Sequence, residues 1–252
     1  MPTVATSRPF SRMAITGFLV ALFAGLALLL AGTGYRLRWW ALQPAFMVLR
    51  WAAYGGLVAA ALSLLGMLLA RPGGHRRGFP LALVGLGIAL VVVGVPWQWL
   101  RTAQRVPPIH DITTDTETPP TFVAILPLRA DAPNPAEYGG PEVAAQQRAG
   151  YPDLGPLTLQ APPPQAFARA LAAARDMGWE IVAAVPAEER IEATATTFWF
   201  GFKDDIVVRI SQADGGSRID VRSVSRVGRG DVGTNAKRIK AYFAQIAHSG
   251  SS

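Results

Sequence analysis

Gly228, Gly230 and Gly233, with Arg229, Asp231 and Val232 between them, form a G-x-G-x-x-G run where alternating patterning gives way to helical patterning. In a dinucleotide site such glycines let backbone approach a pyrophosphate. The helix that follows must then lead to a second parallel strand and an acidic residue about 20 positions on. No such strand pattern follows Asn235, so a dinucleotide is not expected, and no other cofactor is indicated. A lesser capacity remains, because free N–H groups and the positive dipole end at a helix N-terminus attract anions. Arg222, Arg226 and Arg229 flank Gly228, Gly230, Asp231 and Asn235, and residues 218–240 hold seven basic and two acidic side chains. Residues 106–217 hold seven basic and fifteen acidic ones. The strand–turn–helix is thus a candidate anion site. The competing structural reading is a tight turn capped by Asp231, with its arginines paired to acids elsewhere.

His110, Asp111, Asp115 and Glu117 lie close together in HDITTDTET. They offer one imidazole and three carboxylates, but a calcium loop needs more carboxylates and a glycine at its bend, and zinc prefers tighter His/Cys spacing. A polar extended segment bonding its own backbone is the simpler reading, and no metal is expected. The dipeptide Asp204-Asp205 reads as a hairpin turn. A nucleophilic kit is missing: the chain has no cysteine, no G-x-S-x-G and no H-E-x-x-H. No catalytic set is therefore assigned, although sequence does not reveal which acids converge.

The elements that must carry these residues divide at a break in composition. Residues 1–105 contain ten arginines and no aspartate, glutamate or lysine. They hold three apolar runs of about 20 residues, Met13–Gly32, Trp51–Ala70 and Phe79–Leu100, each the length of a transmembrane helix. Small residues such as Gly55, Ala59 and Ser63 suit close helix packing. The remaining residues carry fourteen basic and seventeen acidic side chains. The overall charge of +7 is therefore juxtamembrane arginine, suited to anionic lipid, and nucleic acid is not an expected partner.

With the N-terminus inside, five arginines fall on each side of the membrane, a tie under the positive-inside rule. The short hydrophilic loop Arg71–Gly78 favours the cytoplasm, and Trp39, Trp40, Trp51, Trp97 and Trp99 mark the opposite face. The expectation is a bacterial inner-membrane protein with a cytoplasmic N-terminus and a periplasmic domain.

Residues 106–164 are rich in proline and glycine and read as a wrapping segment, with Thr121–Leu128 and Leu157–Leu159 as its extended pieces. Over 165–248 the spacing of Phe167, Ala170, Leu171, Ala174 and Met177 predicts a helix, stopped by Gly178. Alternating or apolar runs at Trp179–Val185, Arg190–Phe202, Asp205–Ser211 and Arg218–Val224 predict four strands. A last helix starts near Val232 and buries Val232, Ala236, Ile239, Phe243 and Ile246 on one stripe. Short connections demand antiparallel pairing, so the fold class is α+β: two helices on one face of a four-stranded sheet, behind a three-helix anchor.

Two stretches, Pro107–Pro120 (PPIHDITTDTETPP) and Arg222–Phe243 (RSVSRVGRGDVGTNAKRIKAYF), resemble the bacterial membrane-anchored family of domain of unknown function 1499. The resemblance covers about residues 106–245, and a three-span anchor is similar to that of common members. Relatives in photosynthetic organisms are associated with the lumenal side of membranes, which implies an outward-facing domain. The resemblance implies no catalytic residue set.

The expected function is a binding module for an anionic lipid head group, a glycan or an envelope protein close to the bilayer. The alternative is a membrane-tethered hydrolase of an envelope substrate, using Asp/Glu chemistry with His110 assisting.

Overall fold

The structure is a computed structural model and describes residues 8–248. Close contacts divide the chain into two units: Met1–Arg101 with Trp199–Gly201, and Thr102–Phe198 with Phe202–Ser252. The first unit holds three helices, α1 (Arg12–Arg36), α2 (Leu42–Leu69) and α3 (Phe79–Ala103). All three are long and apolar enough to cross a membrane. They overrun the apolar stretches, and Pro44 does not prevent this because it falls in the first turn of α2, where its missing N–H loses no hydrogen bond.

Ser11 caps α1, its Oγ accepting from the Ala14 N–H at 3.4 Å. Small residues let α1 and α2 meet at backbone distance. A Cβ at Gly17 would lie 2.8 Å from the Ser63 nitrogen, and one at Gly66 would lie 2.7 Å from Ala14 Cα. Ala59 and Ser63 are fully buried, and a Cβ at Gly55 would lie 3.2 Å from that of Ala24.

The tripeptide Trp199–Gly201 belongs to this helical unit. Its Trp199 indole N–H donates to the Leu29 carbonyl at 3.1 Å, and the ring lies on Gly32, where any side chain would collide with it. Trp199 stacks near Trp99 at 5.3 Å between centroids. Phe200, 2% exposed, packs against Tyr35, Phe46 and Trp99 at 6.2, 5.8 and 5.9 Å. A sixth tryptophan, distant in sequence, thus joins those of the helix ends.

The second unit is the α+β domain. Its sheet has six strands rather than the four expected: β1 (Asp111–Thr113), β2 (Leu157–Leu159), β3 (Glu180–Val185), β4 (Arg190–Thr196), β5 (Lys203–Ala213) and β6 (Gly216–Ser225). The order is β1-β6-β5-β4-β3, all antiparallel, with β2 also on the free edge of β6. Strands β1 and β2 pair end to end along that edge, at Arg222–Val224 and Ser217–Ile219. Three residues each are too few for a period-2 signal.

The expected strand Arg190–Phe202 ends at Thr196, and the turn falls on the aromatic run that follows. Asp204 and Asp205, expected at the turn, are instead 3% and 0% exposed inside β5. The aromatic run had mimicked a strand, and a strand interior tolerates acids when arginines face them.

Helices α5 (Pro163–Asp176) and α6 (Thr234–His248) cover one sheet face. Ile191, Ala193, Ile206, Val208, Ile219 and Val221 alternate onto that face and meet Phe167, Ala170, Ala174, Ile239, Tyr242 and Ile246. Residues 114–139 cross the other face. Thr121–Leu128, expected as extended, is a loop running into a 3-10 turn, Leu126–Arg129. A further helix, α4 (Gly140–Gly150), follows it. The Gly139-Gly140-Pro141 sequence reads as a breaker, yet Pro at the first helical turn loses no hydrogen bond, and so this breaker is a helix start.

Candidate functional site

Along β6 the side chains of Arg218, Asp220, Arg222 and Val224 point, by the alternation of a strand, to the face away from the helices, and Arg226, just past its end, continues the row. Asp205, Val207 and Arg209 of β5 share that face, opposite Val224, Arg222 and Asp220. Three charge clusters result. Arg222 binds Asp111 of β1 through two hydrogen bonds, Nε to Oδ1 at 2.9 Å and Nη2 to Oδ2 at 2.7 Å. Arg226 grips Asp205 in the same forked manner, at 2.9 and 2.8 Å, and also donates to the Leu128 carbonyl. Arg209 and Arg218 both contact Asp220 and Asp115. The Arg222 and Asp111 side chains are 2% and 6% exposed, so removing one partner would strand a buried charge, a loss of about 3–5 kcal/mol.

The segment over this face is clamped by the same charges. Glu192 of β4, fully buried, accepts backbone N–H bonds from Val123, Ala124 and Ile125 at 2.9–3.1 Å and pairs with Arg190. Phe122 lies between two guanidinium groups, Arg129 at 5.5 Å and Arg222 at 5.3 Å, and Tyr138 receives Arg222 at 5.4 Å. Arg129 Nη2 donates to the carbonyls of Asn134 and Pro135, both at 3.1 Å, and its Nη1 lies 3.4 Å from Asp205. Burial, partly offset by Asp205, holds the Arg129 guanidinium below its usual pKa. Burial and the charge of Asp111 push the Tyr138 hydroxyl up to about 12.

The two motif stretches meet directly. Strand β1 pairs with β6, the Ser225 N–H donates to the His110 carbonyl at 3.0 Å, and the Asp231 N–H donates to that of Ile109 at 3.1 Å. Asn235 is fully buried at the join, donating to the His110 carbonyl and to Ser225 Oγ and accepting from Ser223 Oγ at 2.7 Å. His110 Nδ1 faces the Arg229 carbonyl at 3.3 Å. Gly230 packs on Pro108, and a Cβ there would lie 3.2 Å from the proline Cα. Gly228 has φ 99°, a left-handed turn that favours glycine.

Asp231 caps α6. Its Oδ1 accepts from the Gly233 N–H at 2.8 Å and its Oδ2 from that of Asn235 at 2.7 Å, so its own carboxylate occupies the place an anion would take. Burial raises the Asp231 pKa against those two hydrogen bonds. Val232 sits at φ 54°, a left-handed position that costs a β-branched residue strain and that the cap holds in place.

The family described as Protein of unknown function (DUF1499) matches residues 111–246, from the first residue of β1 into the end of α6. The chain belongs to this family. No curated protein and no solved structure matches it. The DUF1499 region holds every ion pair described above, together with both faces of the sheet.

Within the DUF1499 domain the residues of HDITTDTET part company. Asp111 turns to Arg222, and Asp115 turns to Arg209 and Arg218 and accepts N–H bonds from Glu117 and Thr118. Glu117 itself is exposed. Among the described residues no three His, Asp or Glu side chains converge as a metal site would require.

Of the candidate anion-binding arginines only Arg229 stays exposed and outside every ion pair among the described residues. Lys237, one turn into α6, is likewise exposed and unpaired. It borders an open cleft of about 410 Å³, lined by Trp179, Ala195 and Thr196 on one side and Thr234, Lys237 and Arg238 on the other. Sequence reasoning passed over this cleft, as it did Glu192 and Arg129, because the residues involved are far apart along the chain. The alternating charges of β6 were the one available signal of a covered polar face.

Proposed function

We propose that this DUF1499 protein is a membrane-anchored binding module whose cleft beside α6 receives an anionic phosphodiester head group. The observation that carries this reading is the contrast among cations. Arg222, Arg226 and Arg238 are neutralised by Asp111, Asp205 and Asp204, whereas Lys237, which lines the cleft, and Arg229, in the loop that leads into α6, stand exposed and outside every ion pair among the described residues. The cleft adds two threonines for hydrogen bonding and an apolar floor at Trp179 and Ala195. An anchored domain meets lipid head groups at an effective concentration near the millimolar range, so modest affinity is enough. In this reading the N-terminus lies on the cytoplasmic side of a bacterial inner membrane and the domain on the periplasmic side. The short arginine loop Arg71–Gly78 and the tryptophans at the opposite helix ends support that orientation.

The test uses the full chain in phosphatidylcholine nanodiscs. Soluble dihexanoyl phosphatidylglycerol should slow amide hydrogen exchange in residues 177–196 and 232–241, and dihexanoyl phosphatidylcholine should not. Arg229→Glu with Lys237→Glu, both changes on exposed side chains, should abolish that protection and leave the melting temperature unchanged. Equal protection by the two lipids, or protection that survives the double variant, refutes the reading.

A further inference from the structure

Phe198 is 92% exposed, more than any other large apolar side chain among the described residues. Its position in the chain makes that exposure informative. It is bonded to Trp199, and Trp199–Gly201 belongs to the helical unit. There Trp199 and Phe200 pack with Tyr35, Phe46 and Trp99, which stand at the end of α1, the beginning of α2 and the end of α3. Those helix ends carry Trp39, Trp40, Trp51 and Trp97 as well, the residue type that favours the head-group level of a bilayer. Adjacent Cα atoms are about 3.8 Å apart, so Phe198 must lie at the depth of its neighbour. Arg36, whose Cγ would lie 2.8 Å from a Cβ on Gly201, brings a cation to the same level.

We propose that the connection between β4 and β5, residues 197–202, is a lipid-contacting foot. Trp199 and Phe200 seat it on the helices, and the Phe198 ring enters the interface between head groups and acyl chains. The partner is the bilayer itself. Burying an aromatic ring in that zone removes apolar area from water, and the indole seated beside it fixes the depth. Of the aromatic run only Phe198 presents its ring to the outside, and the head-group zone offers that ring an apolar environment that water does not. The inference rests on the reading that α1–α3 span a membrane.

The chain has no cysteine, so single introduced cysteines can report depth without background. Spin labels are placed at Phe198→Cys, at Asp214→Cys and at Leu26→Cys in the full protein, reconstituted in phosphatidylethanolamine/phosphatidylglycerol liposomes. Asp214 lies in the turn beyond β5, an 11-residue strand of roughly 35 Å, and Leu26 is an exposed residue in the middle of α1. The label at 198 should be relaxed by oxygen more than by a water-soluble nickel chelate, as at 26, and the ratio should reverse at 214. A label at 198 that behaves like the one at 214, or that neither reagent reaches, overturns the foot while position 26 still reports lipid. A label at 26 relaxed by nickel would sink the membrane reading and the foot together.

Discussion

Two aspartates of the DUF1499 domain are displaced in opposite directions, and the difference is measurable. Asp231 is held above its ordinary value of 3.8 because burial outweighs the N–H bonds it accepts from Asn235 and Gly233. At Asp115 burial also acts upward, but N–H bonds from Thr118 and Glu117 and the Arg209 guanidinium together hold it below 3.8. A raised carboxyl contributes stability that is present below the unfolded pKa and lost as pH rises through the folded one. A lowered carboxyl contributes stability that is present above the unfolded pKa and lost as pH falls through the folded one. Asp115→Asn should therefore lower the melting temperature at pH 7, and the deficit should shrink as pH falls through 4 towards 3. Asp231→Asn keeps a capping side chain, so it should melt near the wild type at pH 7 and fall behind at higher pH than the Asp115 variant changes, as pH drops from above the ordinary carboxyl value down to 3.8. Thermal melts of the full protein in nanodiscs at several pH values check both, and parallel profiles for the two variants would contradict the assigned environments.

At the scale of elements, β6 carries most of the organisation. One of its faces is apolar and meets α5 and α6, and the other is a row of arginines that needs acids from β1, β5 and residue 115. Helices α5 and α6 and strands β3–β6 are readable in the sequence because each repeats its period over enough residues. Strand β1 is not, since three residues carry no period, and β2 reads in sequence as an extended piece at Leu157–Leu159 whose place in the sheet only the open edge of β6 decides. The turn between β4 and β5 is misplaced by sequence because Phe198–Phe202 is as apolar as a strand. Its Trp199 and Phe200 belong to the helical unit and pack there, a partner that local patterning does not include. Gly32 is the matching feature on α1, where a side chain would collide with the Trp199 indole. Gly32→Leu should displace Trp199 and speed chymotrypsin cleavage within residues 197–202 several-fold. Gly87→Leu, where a Cβ meets nothing within 4 Å, should not. Equal cleavage of the two variants would show that Trp199 does not depend on the glycine.

For the whole molecule the decisive quantity is where charge is allowed. Acids are excluded from residues 1–105, and within the domain the buried Asp111, Glu192 and Asp205 are matched to arginine on a covered sheet face. A periplasmic domain makes a direct prediction. In cells with a permeabilised outer membrane, a membrane-impermeant maleimide should label Asp214→Cys and leave His75→Cys, in the loop between α2 and α3, unlabelled until the inner membrane is opened. The reverse pattern would invert the proposed orientation.

The three long apolar helices, the α+β class and the family were legible from sequence alone. Hydrocarbon thickness, helical period and strand alternation are local constraints, and each writes itself into consecutive residues. Which acids the arginines meet was not legible. Arg222 and Arg226 look like an exposed anion site in sequence, yet tertiary structure commits them to Asp111 and Asp205 and leaves Arg229 and Lys237 exposed. An ion pair between residues 111 positions apart depends on which strands become neighbours, and that pairing is settled only when the whole sheet closes.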